Sequence, residues 1–569
     1  MIEKMTKYDW VLLSSDRDSF LEQLRELGVV DITRASKPVD EKSAGMLASI
    51  EEKKALAKCL EAGEDGHLGS LRAELGSLEA ELAAVLPWGN YDKEKLGFFG
   101  VHFYCVPEKK FSEDLAASFP LQVACRQDGK VWFVVLGNEL PTQFKELPAP
   151  ERTARETEAL VADKKAEIES YRRELEARKS EIPALQESIS RESSDLSLYL
   201  ASLEGASAAE NALCIYEGFA PSELDAKLSE AFDGMDGVVC LSAAAANEDR
   251  PPIKFRNNRF VKMFEPLTDM YGRPDYNGFD PTPFISIFFL LFFAMCMGDA
   301  GYGIILVIVG LLMKKVKSFS SMAPLVSALG VGTMVVGFFF HTFFSMDMAQ
   351  WAWIPEGVKK VFVPSQIAGF DGTMVLALIV GVIHLCLAMI VKTYNATKNN
   401  GFLGSLGVWG WTLLIVGGVV IGTFALIGVL DSKVTKIAII VLGIVSAVGI
   451  FLLNNIHRNP LINIGSGLWD TYNTATGLLG DVLSYLRLYA LGLAGAMLGF
   501  AFNDLAKMAL GDGGIGWLFF ILIVIVGHTL NFAMAALGAF VHPLRLNFLE
   551  FFKNSGYEAN GKKYNPLTK

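Results

Sequence analysis

Residues 481–500 read DVLSYLRLYALGLAGAMLGF, a run of apolar and small residues with one arginine, Arg487, near its middle. The flanking sequence stays apolar long enough to cross a hydrocarbon layer of about 30 Å. A guanidinium keeps its charge at any accessible pH, and placing it at mid-bilayer costs roughly 2.5–3.5 kcal/mol even on insertion scales. The alternatives are a snorkelling or structurally paired arginine and a functional one, and intramembrane charges point by default to function.

Around this run the composition divides in two. The chain has 569 residues, 51% hydrophobic and 20% charged, with a net charge of −11. Charged residues crowd into the first 280 positions, and long apolar runs dominate from 283 onward. A cytoplasmic region (1–280) and a transmembrane region (281–569) are therefore expected. The acidic balance argues against a nucleic-acid partner. Cys59, Cys105, Cys125, Cys214, Cys240, Cys296 and Cys386 show no C-x-x-C spacing, so neither a zinc site nor a disulfide framework is expected. The opening MIEKMTKYDWVLL lacks a signal-peptide h-region, so nothing is expected to send the first half across the membrane by that route.

Residues 7–33 read strand, helix, strand, with Gly28 ending the helix. ALCIYEGFAP, SELDAKLSEAF and GVVCLSA repeat that order after residue 211, so the two halves are expected to form one ferredoxin-like lobe (1–37 plus 206–260). Between them, Leu68, Leu71, Leu75, Leu78, Leu82 and Val85 step by threes and fours, as do Ile168, Tyr171, Leu175 and their successors to Leu203. This is coiled-coil spacing. An antiparallel arm (38–87 plus 150–205) of about 75 Å follows at ~1.5 Å per residue. The insert 88–149 reads as a distal α/β lobe: a strand in GFFGVHFYCV, a short helix in KKFSEDLAASF and a hairpin turning at Asp128-Gly129. The expected fold is mainly α. It is a dumbbell of two small α/β lobes joined by the arm, then an eight-helix transmembrane domain with two long, tilted C-terminal helices.

The soluble half contains no G-x-x-x-x-G-K-[ST], G-x-G-x-x-G after a strand, H-E-x-x-H or G-x-S-x-G. It is expected to be an adaptor with no ATP-catalytic site, no cofactor and no metal.

Eight spans are expected, near 283–298, 300–314, 322–344, 372–392, 403–430, 435–454, 472–503 and 515–548. Lys314, Lys315 and Lys317, then Lys392 and Lys398, then His457 and Arg458, and finally Lys553, Lys562, Lys563 and Lys569 fall on the side expected to be inside. Both termini are then cytoplasmic. Asp299, in the break GDAGYG, is either a capped turn or a functional carboxylate, and His384 reads as a polar contact within span four. Asp481 lies about 120° around the helix from Arg487, so the two do not share a face. The arginine's face carries Gly477, Gly480, Ser484, Leu491 and Gly495, small residues that permit close approach of a moving helix. In the last span Arg545 follows His542 by one turn, Glu550 lies nearer the cytoplasm, and Pro543 is expected to kink or loosen the helix.

SYLRLYALGL, AFVHPLRLNFLEF, GDAGYG and FVKMFEPLTDMYGRPDYNGFDPTPF together resemble the membrane stator subunit of V-type and archaeal-type rotary ATPases, in its prokaryotic form. The resemblance implies a plasma-membrane subunit that faces a rotating ring of proteolipids, the c-ring (built of K/c subunits). It implies coupling of H⁺ or Na⁺ flow, through two offset half-channels, to ATP synthesis or hydrolysis on other subunits. Arg487 matches the family's essential arginine, Arg545 its second arginine and His542 a histidine three residues before that. The arm then anchors peripheral-stalk subunits E and G (or H), with the C/d component of the central stalk nearby. The chain departs from the family at Asn473, Ala535 and Gly495, where relatives often carry a carboxylate, Glu or Asn, and His. Asp481, Asn473, Ser484, Asn531 and His528 are the remaining half-channel candidates. A secondary transporter would show inverted repeats, and no convincing repeat relates spans 1–4 to 5–8. A coiled-coil membrane tether is the other alternative, and it would leave Arg487 dispensable.

Overall fold

The computed structural model describes all residues except 36, 92–99, 109–110, 112–119, 128, 138–145, 209, 211, 236, 317–318, 353, 365, 368, 454–459, 511–513 and 569. The short helix expected in KKFSEDLAASF, and Lys317, His457, Arg458 and Lys569, lie largely or wholly outside the described residues. The chain divides into two compact units, residues 1–11 with 217–566, and residues 12–216 with 567–569.

Strand β1 (Met5–Leu13) buries Tyr8, Trp10 and Leu12, the period-two pattern of a strand with one covered face. Helix α1 (Arg17–Leu27) ends at Gly28, whose φ of 65° is the left-handed cap that glycine adopts without strain. Strand β2 (Asp31–Ile32) follows. Helices α2 (Glu41–Ala62) and α3 (Gly66–Val85) lead to strands β3 (Val101–Pro107), β4 (Leu121–Gln127), β5 (Lys130–Leu136) and β6 (Glu146–Leu147), ordered β4-β5-β3-β6. This sheet encloses Tyr104, Val131, Phe133 and Val135. The chain returns through α4 (Ala154–Arg178), a tight turn at Lys179–Glu181 before Pro183, and α5 (Ile182–Glu204).

These helices pack in pairs. Ile50 of α2 packs with Leu196 and Leu200 of α5, and Leu68 and Leu71 of α3 pack with Ile168 of α4. One capping device recurs. Asp40 caps α2 through the Ser43 amide at 2.8 Å and accepts the Tyr199 hydroxyl at 2.6 Å. Asp65 caps α3 through the Leu68 amide at 2.7 Å and accepts the Tyr171 hydroxyl at 2.5 Å. Each aspartate thus satisfies an orphan helix N–H and also holds the opposing helix. Hydrogen bonds from Ser43 and Tyr199 pull the Asp40 carboxyl down to about 2.

Strands β7 (Ala206–Ala208), β8 (Leu213–Pro221) and β9 (Val238–Ala244) flank α6 (Asp225–Asp233). Strand β1 lies between β8 and β9. In the larger unit, Trp10 stacks on Tyr8 at 5.6 Å and meets Phe232 of α6 edge-on at 5.4 Å.

After α7 (Glu265–Tyr271) come the apolar helices. These are α8 (Thr282–Met297), α9 (Ala300–Met313), α10 (Ala323–Phe339), α11 (Gly372–Gly404), α12 (Leu406–Leu426), α13 (Ser432–Ala447), α14 (Pro460–Ala509) and α15 (Gly514–Arg545). A helix stands at each of the eight expected spans. From α11 onward, five are long and apolar enough to cross a membrane, α13 together with the π-helical turn that carries it to Leu452, whereas α8, α9 and α10 have 16, 14 and 17 residues. Several boundaries differ from expectation, among them that of α10, which stops at Phe339 where the expected span reaches 344. Helix α11 runs on to Gly404 across a break at Gly401, and α14 begins at Pro460, well before 472. Helix α15 passes through Pro543 and opens into a π-helical turn, Leu546–Phe551. Proline removes an N–H and crowds the preceding turn, so a widened turn nearby is the local relief.

Glycine lets α9 and α10 pack closely. A methyl group on Gly303 would sit 2.5 Å from the Met334 nitrogen, and one on Gly337 would sit 2.2 Å from that of Ala300. In an apolar environment small residues are what let helices approach this closely. The C-terminal tail returns to the segment ahead of α8: Ile253 bridges Lys563, Arg273 bridges Gly561, and the Tyr557 hydroxyl donates to the Gly272 carbonyl at 2.7 Å.

Candidate functional site

Helix α14 is fixed by one buried face. Asp481, Tyr485 and Leu488 repeat at four and three residues and are all buried. The Tyr485 ring fits against Gly381 of α11, where a methyl group would meet it at 2.4 Å. Its hydroxyl meets His384 Nδ1 at 3.0 Å. His384 is stacked on Phe551 at 4.8 Å and is fully buried, so the expected polar contact is made through the tyrosine.

Two residues beyond Tyr485, Arg487 lies within electrostatic reach of Cys296 on α8, His542 on α15 and Glu550 in the π turn. Its Nη1 is buried and has no hydrogen-bond partner among the described residues, as do His542 Nδ1 and Glu550 Oε2. Buried polar atoms are nearly always paired, so an unpaired guanidinium nitrogen with two more unpaired atoms near it makes this a candidate site. Arg545 also lies within reach of His542, although its own side chain is exposed.

On the N-terminal side of the arginine lies a first polar group. Asp481 accepts from Asn554 Nδ2 at 2.7 Å and pairs with Lys553 at 3.5 Å. The same Asn554 amide donates to the Glu550 carbonyl at 2.7 Å, tying the π turn to α14. Ser484 donates to the Gly480 carbonyl at 3.1 Å and sits beside Glu550. Asn473 is exposed. It lines a cavity of about 420 Å³ with Lys392, Asp470, Thr474, Gly477, Asp481, Lys553 and Asn554.

A second polar group lies on the C-terminal side. Asn531, buried to 1% exposure, donates to the Gly495 carbonyl and to the Tyr302 hydroxyl, both at 2.9 Å. Tyr302 meets His528 Nδ1 at 2.8 Å, and His528 Nε2 meets Asn503 Oδ1 at 2.9 Å. Asp299 caps α9: Oδ1 accepts from the Gly301, Tyr302 and Phe344 amides, and Oδ2 from that of Ser345 at 2.6 Å. The capped-turn alternative for Asp299 is the one realised. At ~1.5 Å per residue, Asp481 lies about 9 Å below Arg487 along α14 and Gly495 about 12 Å above it.

Of the three glycines expected to face a partner, Gly480 has open space, Gly477 neighbours Lys553 and Gly495 neighbours Ala535. Tyr302, Asn503, Ser345, Lys553, Asn554 and Cys296 are not among the sequence candidates. Tyr302 stands inside the GDAGYG motif, but nothing local shows that it meets residues 528 and 531.

Residues 144–349 match the V-type ATPase 116kDa subunit family. Over 352 residues the chain is 32% identical to the A-type ATP synthase subunit I of Methanocaldococcus jannaschii, covering 56% of this chain and 49% of the relative. This chain is similar to subunit I of prokaryotic A- and V-type ATP synthases. Subunit I of Pyrococcus horikoshii is 33% identical over 56% of this chain and 48% of its own length. The V-type ATP synthase subunit I 1 of Treponema pallidum is 30% identical, over 56% and 52%. The chain spans about half the length of the curated relatives it matches.

Proposed function

We propose that this chain is the membrane stator subunit of a prokaryotic V/A-type rotary ATPase, with Arg487 as the fixed charge past which a proteolipid ring turns. The observation that carries this reading is the orphaned Arg487 Nη1, set between two polar groups on opposite sides along α14. A ring carboxylate in low dielectric is neutralised by its bound ion, and a guanidinium a few ångströms away stabilises the empty, charged form instead. The same charge blocks direct passage between the two groups. Asp481, Ser484, Asn473 and Glu550 would line the inner half-channel, and Asn531 with His528 the outer one. His542 and Arg545 would flank the crossing point, and Gly480 would present the small-residue surface. Leu479, Leu483 and Met497 of α14 and Leu537 of α15 are exposed and apolar, a surface suited to lipid or to a proteolipid ring.

Eight crossings are supported by parity. The segments before α8 and after α15 pair with each other through Ile253–Lys563 and Arg273–Gly561, so both lie on one side and the crossing number is even. Five crossings would not satisfy this; eight do. With the positively charged loops inside, both ends are cytoplasmic, and the hairpin of α2 to α5 would anchor the peripheral stalks.

The test is Arg487→Ala or Arg487→Lys in inverted membrane vesicles carrying the assembled complex. ATP-driven ion uptake should be lost while assembly persists. Near-normal uptake in an assembled complex would overturn the reading.

A further inference from the structure

Two backbone carbonyls determine the polarity of the outer polar group. A carbonyl can only accept, so Asn531 must present its NH₂ to Gly495, and Asn503 must present its NH₂ to the Phe344 carbonyl at 2.9 Å. Asn503 Oδ1 therefore faces His528, and Nε2 of that ring must carry the proton. Nδ1 is then a lone pair, so the Tyr302 O–H donates to it and the phenol oxygen accepts from Asn531. Every bond in the row Asn531, Tyr302, His528, Asn503 points the same way, and one basic lone pair, Nδ1, lies at its centre.

Beside this row are two further oxygens, Ser345 Oγ, which lies within reach of the Tyr302 hydroxyl, and Asn531 Oδ1, which has no hydrogen-bond partner among the described residues. Both residues are buried, at 7% and 1% exposure. Ser345 reaches in against the α14 backbone at Gly499, where a methyl group would come within 2.0 Å of its Oγ. The ionisable groups around His528 are Tyr302 on α9 and the Asp299 carboxylate at its cap. Helix α14 contributes neutral Asn503, and the 342–345 loop contributes Phe344 and Ser345.

We propose that His528, switched by Tyr302, is a proton-carrying station on the outer side, and that the ion this chain passes is H⁺. The proposal rests on the stator reading above. A proton from a hydronium ion forms an N–H bond at Nδ1 and leaves water behind. The Tyr302 O–H turns from Nδ1 toward Ser345 Oγ, its phenol oxygen accepts the new N–H, and no bond to carbon changes. The imidazolium so formed stands near the Asp299 carboxylate. Release to a water molecule returns the electron pair to Nδ1 and the phenol to its first orientation.

The experiment uses the assembled complex in proteoliposomes, measuring ATP-driven H⁺ uptake with a pH-sensitive dye and ²²Na⁺ uptake in parallel. Wild type should move H⁺ and no ²²Na⁺. His528→Gln, whose amide can keep both neighbours hydrogen-bonded but binds no proton, should lower H⁺ uptake at least tenfold and flatten its pH profile. Tyr302→Phe should lower it several-fold with the complex intact. ATP-driven ²²Na⁺ uptake by wild type, or wild-type H⁺ uptake with an unchanged pH profile in His528→Gln, would overturn the proposal. Arg487→Ala separates the two readings. If it is silent while His528→Gln is normal, only the proton station fails; if it transports normally, the stator reading fails.

Discussion

Removing the Asp299 carboxylate should release the 342–347 hairpin. That hairpin and the residue before it hold three non-glycine residues in left-handed conformations, His341, Phe344 and Ser345, with φ of 52°, 47° and 56°. Each such conformation costs on the order of 1–3 kcal/mol, and it persists only where the surroundings enforce it. Here the enforcing contacts are the Phe344 amide on Oδ1 at 2.9 Å and the Ser345 amide on Oδ2 at 2.6 Å. In Asp299→Asn one amide oxygen can still serve Gly301, Tyr302 and Phe344, but an NH₂ then faces the Ser345 N–H. One charge-assisted hydrogen bond is lost, about 2 kcal/mol. That corresponds to roughly thirtyfold faster amide exchange at Ser345, since each ~1.4 kcal/mol is a factor of ten. Asp299→Ala removes all four acceptor contacts and should expose both amides fully. Hydrogen–deuterium exchange on the full-length protein reads this directly, with peptides from α11 as the internal control. Unchanged protection at 344–345 in Asp299→Ala would refute the assignment of the carboxylate as the clamp.

Other outcomes follow from the same contacts. Gly337→Ala should destabilise the α9–α10 pair by about 1–3 kcal/mol through overpacking, visible as a lower thermal midpoint. Gly480→Trp, placed where nothing packs, should leave the midpoint nearly unchanged yet slow ATP-driven transport if that surface meets a ring. Asn554→Ala removes the bonds to Asp481 and to the Glu550 carbonyl and should cost about 1 kcal/mol for each. Faster exchange in the π turn checks it. The Asp40 carboxyl is held at about 2 by Ser43 and Tyr199, below its ordinary value of 3.8. A depressed carboxyl stabilises the fold above its unfolded value and loses that contribution as pH falls through the folded one. Exchange in α2 should therefore accelerate, beyond the intrinsic pH effect, as pH falls from about 4 to 2, and Tyr199→Phe should weaken that dependence.

The elements legible in the sequence are those whose cause is local. Heptad spacing places α3, α4 and α5, because a repeat of three and four residues builds an apolar stripe whatever it packs against. Gly28 ends α1 where a left-handed cap is needed, and alternation marks β1. Apolar runs locate the eight helices α8 to α15, five of them long and apolar enough to cross a membrane. Composition cannot tell that three of them are short, or that α14 extends back to Pro460, because those limits depend on neighbouring chain.

Around Arg487 the division is sharper. The sequence alone determined that a permanent charge lies in an apolar run, with small residues near it and a second arginine in the last helix. Only the tertiary structure decided what surrounds that charge: Cys296 from α8, and His542 and Glu550 from α15 and its π turn. It also joined Tyr302 to His528, residues separated by 226 positions, and turned Asp299 into a clamp on a loop 45 residues away. Helical periodicity specifies which residues share a face; the partner that face meets depends on close packing between helices distant in sequence.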